Sequence, residues 1–542
     1  MKRGAAENPF GGQGFGAGKA LRKEGSSKEQ RREKFLSVLE ALNRQFAAMV
    51  AAALAKDPAA PLVDAGNDYL QYVASLEERY LRPHGEVFTF GSGECGQLAH
   101  GVDEDSDAEG DARVLSILKP RIVASLRGKS VRLLACGGIH SVAVGDDGRV
   151  WTWGCNDDGA LGRATGPIDK EDPSKGMKGN ENFPALVEGG VTGEQVVHVA
   201  CGDSQTLALT VDGDLWGWGC YKDKEGKKWF DLERPGDDPK TILRQQDEPL
   251  QLPLVPAGQV SDVACGASFN AALLKDGRVL TWGLGEVGDK DKDDAGKAID
   301  KGSCLGRVCT KLRDARSNYL FERIAAEHLA PAEPRLKGGR PLPPAKSVGT
   351  GMWHLFVVGA EGAEVFTCGL NNYGQLGLGD ELNRSEMEAV GSLSGAGVGA
   401  VGGGQHHSMA ISLGDTGAVY TWGRSDYGQL GVGDPKRIAG SFEGSTGGAG
   451  SFLNAPVRVA MPSGAGVPVA MACGENHNLV LTDKRQAYSW GFGESGALGH
   501  AGDNDELSPR LVDVSKNSVG QATVLQITGG GQHSMLLARV LD

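Results

Sequence analysis

A single two-part phrase recurs seven times along this chain. One half is a tight turn followed by an aromatic strand: GEVFTFGSGECGQL (85–98), GRVWTWGCNDDGALG (148–162), GDLWGWGC (213–220), GRVLTWGLGEVG (277–288), AEVFTCGLNNYGQLG (363–377), GAVYTWGRSDYGQLG (417–431) and QAYSWGFGESGALG (486–499). The other half is a CG-x-x-H-like strand: ACGGIHSVAV (135–144), ACGDSQTLAL (200–209), ACGASFNAAL (264–273), GTGMWHLFVV (349–358), GGGQHHSMAI (402–411), ACGENHNLVL (472–481) and GGGQHSMLLA (529–538). Seven copies of each half predict seven structural units. Fixed motif order with Gly and aromatic punctuation predicts a propeller or a solenoid.

The segments are short, alternate apolar with polar residues and are bounded by Gly and Asp-Gly, which is the β pattern. Asp147-Gly148, Asp212-Gly213 and Asp276-Gly277 fall where a two-residue hairpin loop needs positive φ. The chain enters the repeats on the aromatic half at Gly85 and leaves them on the CG-x-x-H half, near Leu541. Each terminal half lacks its complement. Joining them completes a unit and removes two free sheet edges. The expectation is an all-β, seven-bladed β-propeller over 83–542, closed by the N- and C-terminal half-repeats.

Composition narrows the function. Gly is 83 of 542 residues, placed at turns rather than in low-complexity runs, and the net charge is −13. That charge argues against general nucleic-acid binding. No apolar run is long enough for a membrane span, and the start shows no secretory signal. Cys136, Cys201, Cys265 and Cys473 share one repeat position, which reads as small buried strand residues rather than a metal site. Three G-x-G-x-x-G matches (91–96, 283–288 and 491–496) also share one position and precede turns, not the helix a dinucleotide site requires. No cofactor or metal is expected. The CG-x-x-H position carries His140, Gln205, Phe269, His354, His407, His477 and His533. A residue type repeated in register is first of all a scaffold hydrogen-bonder.

The phrases GCNDDGALGR, GDSQTLALTVDGDLWGWG, GGGQHHSMAISLGDTGAVYTWGRSDYGQLG and GGGQHSMLL resemble the regulator of chromosome condensation family, over about 85–542. That family comprises guanine nucleotide exchange factors for the small GTPase Ran. The non-repeat material carries the specific part of the resemblance. After GDLWGWGC comes YKDKEGKKWF (221–230), where the family holds a short β-wedge directed at the GTPase. After GLGEVGD comes a basic insertion, CLGRVCTKLRDARSNYLFERI (304–324), similar to the family's histone-contacting switchback loop.

The resemblance implies a GTPase-binding set of Asp203, Ser268, His406 and the wedge residues Tyr221, Lys222, Asp223, Lys224, Glu225 and Gly226. Ser268 stands where the family carries a second Asp. The wedge, 221–228, reads as a solvated tip replaceable by a plain turn without loss of stability. The resemblance further implies histone contact through Lys311, Arg313, Arg316 and Arg323, with DNA as a further chromatin partner, a monomer, and a nuclear location.

Residues 1–30 are Gly-rich and polar, with two Phe-Gly dipeptides, and read as a disordered tail. Residues 31–82 show helical apolar spacing in two segments, a helical hairpin. This N-terminal part is similar to the nuclear-basket FG nucleoporin that binds importin-α, implying importin contact at Lys2 and Arg3. A hairpin docked on the propeller, with a plain basic localisation signal, remains an alternative. Two other functions stay open for the fold: a non-catalytic scaffold or regulatory subunit in a nuclear or ubiquitin-ligase assembly, and a light sensor like the plant UV-B photoreceptor. In this chain eight of nine Trp lie in or beside aromatic strands, where core packing accounts for them.

Overall fold

The computed structural model describes residues 84–101, 116–166, 180–223, 226–230, 243–252, 255–285, 287, 300–307, 329–360, 364–412, 417–434, 442–443, 451–514 and 522–540. The expected tail over 1–30, the helical hairpin over 31–82, and Lys2, Arg3, Lys224, Glu225, Lys311, Arg313, Arg316 and Arg323 lie outside them.

Seven antiparallel blades follow one another. In blade 1 the last strands of the chain, Ala522–Gly529 and His533–Val540, pair with the first, Glu86–Ser92, and then Ser116–Ile122. Phe88 lies opposite Leu536 and Phe90 opposite Ser534, so the two incomplete half-repeats close the ring as the sequence predicted. Blade 2 is built on Val131–Cys136, His140–Gly145 and Val150–Gly154. Blade 3 is built on Val196–Cys201, Gln205–Thr210, Leu215–Gly219 and Gln246–Gln251. Blade 4 has Val260–Cys265, Phe269–Leu274 and Val279–Gly283, with Ala332 bridging Thr281 on its outer edge. The inner strands of blades 5, 6 and 7 are Ala345–Thr350, Val398–Gly403 and Pro468–Cys473. Among the described residues the helical content is two 3-10 turns, Ala124–Leu126 and Gly391–Leu393, and the single helical residue Leu329.

The period-2 pattern places the core between blades. The second strand of blade 2, His140–Gly145, is buried along its whole length, as is Gln205–Thr210 in blade 3. Its two faces pack against different neighbouring sheets, which is why these strands read as near-continuous apolar runs. The Asp-Gly hairpins have the predicted conformation, with φ of 79° at Gly148, 89° at Gly213 and 83° at Gly277.

A hydrogen-bond relay repeats between blades. His354 Nε2 lies 2.9 Å from Ser408 Oγ in the next blade; Ser408 donates to the Gln375 carbonyl at 2.7 Å, and Trp422 Nε1 donates to that same carbonyl at 2.7 Å. The pattern recurs as His407 with Asn478 and Trp490 on the Gln429 carbonyl, and as His140 with Thr206 and Trp218 on the Ala160 carbonyl. It recurs again as His533 with Ser141 and Trp153 on the Gln97 carbonyl, and as His477 with Ser534. These histidines are scaffold groups. Burial lowers their pKa values, to about 4 for His140 and His407 and about 3 for His354, His477 and His533. They are neutral at pH 7.

The basic insertion begins later than the sequence suggested. Cys304 and Leu305 are fully buried, and the Leu305 carbonyl accepts from Thr281 Oγ1 at 2.7 Å. Thr152 makes the same bond to Leu161 at 2.7 Å in blade 2. Ser303–Arg307 is therefore the blade 4 version of the G-A-L-G-R turn, displaced along the chain. Residues 304–307 belong to the propeller, and the inserted material follows them.

Candidate functional site

The turns that precede the second strands converge on one face around the ring axis. Their backbones form a closed belt: Gly138 N–H to Gly202 O, Asp203 to Ala267, Ala267 to Met352, Met352 to Gly404, Gln405 to Glu475, Glu475 to Gly530 and Gly531 back to Gly138, at 2.9–3.2 Å. The belt encloses a funnel of about 480 Å³ whose side-chain charges include Asp203, Glu475 and Lys222. The belt consumes the backbone amides and leaves the carboxylates facing the funnel. Burial pushes the Asp203 carboxyl up to about 6, Glu475 adds to the rise, and Lys222 opposes it. Burial also raises Glu475. Glu475 occupies the repeat position of Asp203 in blade 7, a signal present in the sequence but not singled out.

On this same face blade 3 departs from its neighbours. Where other blades make a compact G-Q-L-G turn, Tyr221–Lys222 pairs antiparallel with Lys228–Trp229, placing Tyr221 opposite Trp229 and Lys222 opposite Lys228. The ribbon is a built element. Gly226 turns its tip with φ of 77° and donates to the Asp223 carbonyl at 2.9 Å. The Asp223 carboxylate accepts from Lys227 N–H at 2.8 Å and from Trp229 Nε1 at 3.0 Å. Arg244 and Lys227 lie over the Trp229 ring at 4.0 and 4.5 Å.

Tyr221 departs from the expected contact set. It is 1% exposed and packs with Trp229, Phe230 and Trp282 in one core cluster. Its hydroxyl lies 2.8 Å from the Asn270 amide and 3.1 Å from Trp282 Nε1. Removing the blade 3 turn removes the carbonyl that Trp282 would otherwise bond, and the Asn270 amide oxygen, which accepts from Trp282 Nε1 at 3.0 Å and from the Tyr221 hydroxyl at 2.8 Å, takes its place. The wedge is therefore not freely replaceable over 221–228, because its first residue is core. Ser268 departs likewise. It is 4% exposed and clamps the ribbon, donating to the Lys222 carbonyl at 2.9 Å and accepting from the Lys222 N–H at 3.2 Å.

The lysines are also anchored. Lys222 forms an ion pair with Asp158 in blade 2, and Lys228 reaches the same carboxylate at 3.0 Å, the Asp157 carbonyl at 2.9 Å and Gln245 at 2.7 Å. Asp158 also accepts from Ser204 Oγ at 2.8 Å. Burial works against its charge, but Lys222, Ser204 and Lys228 outweigh that and hold the carboxyl below its ordinary range. Asp158 stands where blades 5 and 6 carry Tyr373 and Tyr427. That exchange of Tyr for Asp was legible, but not that two lysines of the next blade would meet it.

His406 sits on the same face, across the ring. Gly423, with φ of 97°, lets the chain pass so close that a Cβ there would lie 2.5 Å from the His406 carbonyl oxygen. The His406 ring packs 4.9 Å from Tyr373. Burial, then Arg424 and His407, lower its pKa to about 4, so it is neutral at pH 7. The structure thus brings Asp203, Lys222, Asp223, Gly226 and His406 to one face.

The RCC1-like domain model matches residues 86–536. The human protein named Regulator of chromosome condensation is 30% identical, over 84% of this chain and 91% of that protein. The Saccharomyces cerevisiae guanine nucleotide exchange factor SRM1 is 25% identical, over 89% of this chain and 92% of its own length. The fold also serves another purpose: the Arabidopsis thaliana ultraviolet-B receptor UVR8 is 27% identical over 79% of this chain and 77% of that protein. Among solved structures, Prp20p from Saccharomyces cerevisiae aligns over 86% of this chain and 94% of its own, with a TM-score of 0.67 at 22% identity. The N-terminal segment compared with a nucleoporin lies outside the residues the domain model matches. The propeller closed by its own termini and the match across all its repeats make this chain a member of the RCC1-like domain family.

Proposed function

We propose that this protein is a guanine nucleotide exchange factor for the small GTPase Ran. One observation carries the reading: a clamped two-stranded ribbon replaces the ordinary blade 3 turn on the face that holds Asp203 and His406. Relatives named Regulator of chromosome condensation and guanine nucleotide exchange factor support it.

An exchanger makes no bond. It binds the nucleotide-free GTPase more tightly than the loaded form, and by linkage weakens nucleotide binding by the same factor. A ribbon used to displace phosphate-binding contacts must not yield when pressed. Tyr221, Ser268 and the Asp158 ion pairs supply that stiffness, leaving Asp223–Gly226 to meet the GTPase. Asp203 and Glu475 offer negative charge at the funnel and suit a basic side chain of the partner. The nucleotide pool sets the direction of exchange. The test is release of labelled GDP from purified Ran, with and without this protein. Acceleration supports the reading, and an unchanged rate sinks it.

The finer assignments are proposals on the same footing: chromatin attachment through Lys311, Arg313, Arg316 and Arg323 to an acidic histone surface, importin-α contact through Lys2 and Arg3 of a module over 1–82, a nuclear location and a monomeric state. Changing Arg313 and Arg316 together to Glu is expected to abolish nucleosome binding and spare GDP release from free Ran. Unchanged nucleosome affinity moves the attachment elsewhere.

The ultraviolet-receptor reading has the fold on its side. However, Trp153, Trp218, Trp422 and Trp490 are fully buried and each donates to a backbone carbonyl of the preceding blade. Those bonds give them a scaffold role.

A further inference from the structure

Arg424 breaks the repeat. At its position, directly after the Gly that ends the aromatic strand, the other blades carry Ser92, Cys155, Cys220, Leu284, Leu370 and Phe492. The scaffold does not require a cation there. Gly423 is paired with His407 as Gly219 is paired with Gln205, so Arg424 emerges on the same face as the wedge, from blade 6 instead of blade 3.

Its guanidinium is fixed. The carbon lies 5.0 Å from the Tyr373 ring centre and 5.5 Å from that of Tyr427. Tyr373 is backed by His406 at 4.9 Å, and Tyr427 by Phe492 at 5.0 Å. Nε donates to Asp426 Oδ2 at 2.5 Å, while the second Asp426 oxygen accepts the Ser451 N–H at 2.6 Å. The side chain is only 21% exposed, and its bond to a described acceptor runs through Nε, leaving Nη1 and Nη2 for a partner. An arginine already stacked and tethered has lost most of its rotamer freedom, so a partner gains its fork at low entropic cost. The two remaining Nη groups match a carboxylate side-on. Asp426 cancels part of the charge, and the protein as a whole is acidic, which disfavours a dianionic phosphate more than a single carboxylate.

We propose that Arg424, held between Tyr373 and Tyr427, receives an acidic side chain of the bound GTPase, as a second docking point across the ring from the wedge. This rests on the exchange-factor reading. The test measures affinity for nucleotide-free Ran, together with GDP release, for the wild type, Arg424→Gln, Arg424→Lys and Arg424→Glu. Arg424→Gln is expected to weaken the complex about 10–100-fold, with unchanged melting. Arg424→Lys recovers little, because the fork and the stacking are lost. Arg424→Glu is weaker still and regains at least about tenfold against one Ran variant from a set in which single surface Asp or Glu residues are changed to Lys. If Arg424→Glu does not fold, the Gln and Lys variants decide. Wild-type affinity in Arg424→Gln overturns the proposal, as does the absence of any rescuing Ran variant. Arg424-dependent binding of free GTP overturns it in favour of a phosphate site. A wild-type protein that releases no GDP sinks the exchange reading itself; normal release with an unaffected Arg424→Gln sinks only this docking point.

Discussion

The seam between blades 5 and 6 and the two seams that flank blade 4 solve the same problem with different chemistry. Between blades 5 and 6, His354, Ser408, Trp422 and the Gln375 carbonyl form a polar relay. Between blades 4 and 5, the corresponding positions hold Phe269, Leu355 and Cys368, which pack together in one apolar cluster. Between blades 3 and 4, the relay ends on the Tyr221 hydroxyl of the wedge. The relay is thus exchanged as a set. A lone His→Phe change would take one of two buried partners from the Ser or Thr hydroxyl, leaving it only its carbonyl, whereas the joint change leaves nothing polar behind. The polar relay is abandoned on both sides of the blade beside the wedge, so the element most exposed to mechanical demand is held by packing, a tyrosine and ion pairs instead of histidines.

Acid is expected to separate the two kinds of seam most widely. The relay histidines have folded pKa values of about 3 to 4, below an unfolded value of 6.5. The unfolded chain therefore takes up protons first. Their contribution is full above pH 6.5 and is lost as pH falls toward the folded values. At pH 5 each costs roughly 2 kcal/mol. Amide exchange read along the chain at pH 5 should open the five histidine seams first and leave both sides of blade 4 protected. Uniform opening would remove the distinction.

Truncating the wedge strut comes next. Tyr221→Ala is expected to cost about 3–5 kcal/mol in denaturant unfolding, as for other large buried aromatics. A cost below about 1 kcal/mol would return Tyr221 to the surface. Shortening the ribbon is a smaller change with a functional readout. Replacing 223–227 by Asn-Gly keeps Lys222 opposite Lys228 and gives a two-residue hairpin turn. GDP release from Ran should fall about 100-fold, some 2.7 kcal/mol, with a melting loss smaller than that of Tyr221→Ala, since Trp229 Nε1 gives up the Asp223 carboxylate. Retained exchange would move the active element off the ribbon. Tyr221→Phe should cost about 1 kcal/mol, because the buried Asn270 amide loses the hydroxyl that bonds it while Trp282 Nε1 keeps the Asn270 oxygen.

The smallest effect belongs to Asp203. Its folded pKa is raised to about 6, so its stability contribution is present below 3.8 and lost as pH rises through 6. At pH 7 the ionised carboxylate is a net cost. Asp203→Asn is expected to raise the melting temperature by about 1–3 °C at pH 7 and to slow exchange, with the gain gone near pH 4. A lower melting temperature at pH 7 would show that the carboxylate holds the funnel together.

Much of this architecture could be read from residue order alone. Seven half-repeats of each kind, with complementary halves at the two ends, admit one economical closure, and Phe88 opposite Leu536 realises it. The Asp-Gly turns and the strand periods are local, and local chemistry needs no partner to be recognised. The departure from the turn motif after Cys220 marked the wedge for the same reason. Partnership was beyond the sequence. Ser303–Arg307 completes blade 4 only because Leu305 meets Thr281 across inserted chain. Whether Tyr221 is surface or strut depends on Asn270 and Trp282, some 50 to 60 residues away. Asp158 is one acidic turn residue among many until Lys222 and Lys228 arrive from the next blade. A repeated sequence specifies its fold because every unit carries the same short-range instructions. The site is made where units differ, and the meaning of a difference is set by the side chain it faces in the neighbouring blade, which only the closed ring brings within bonding distance.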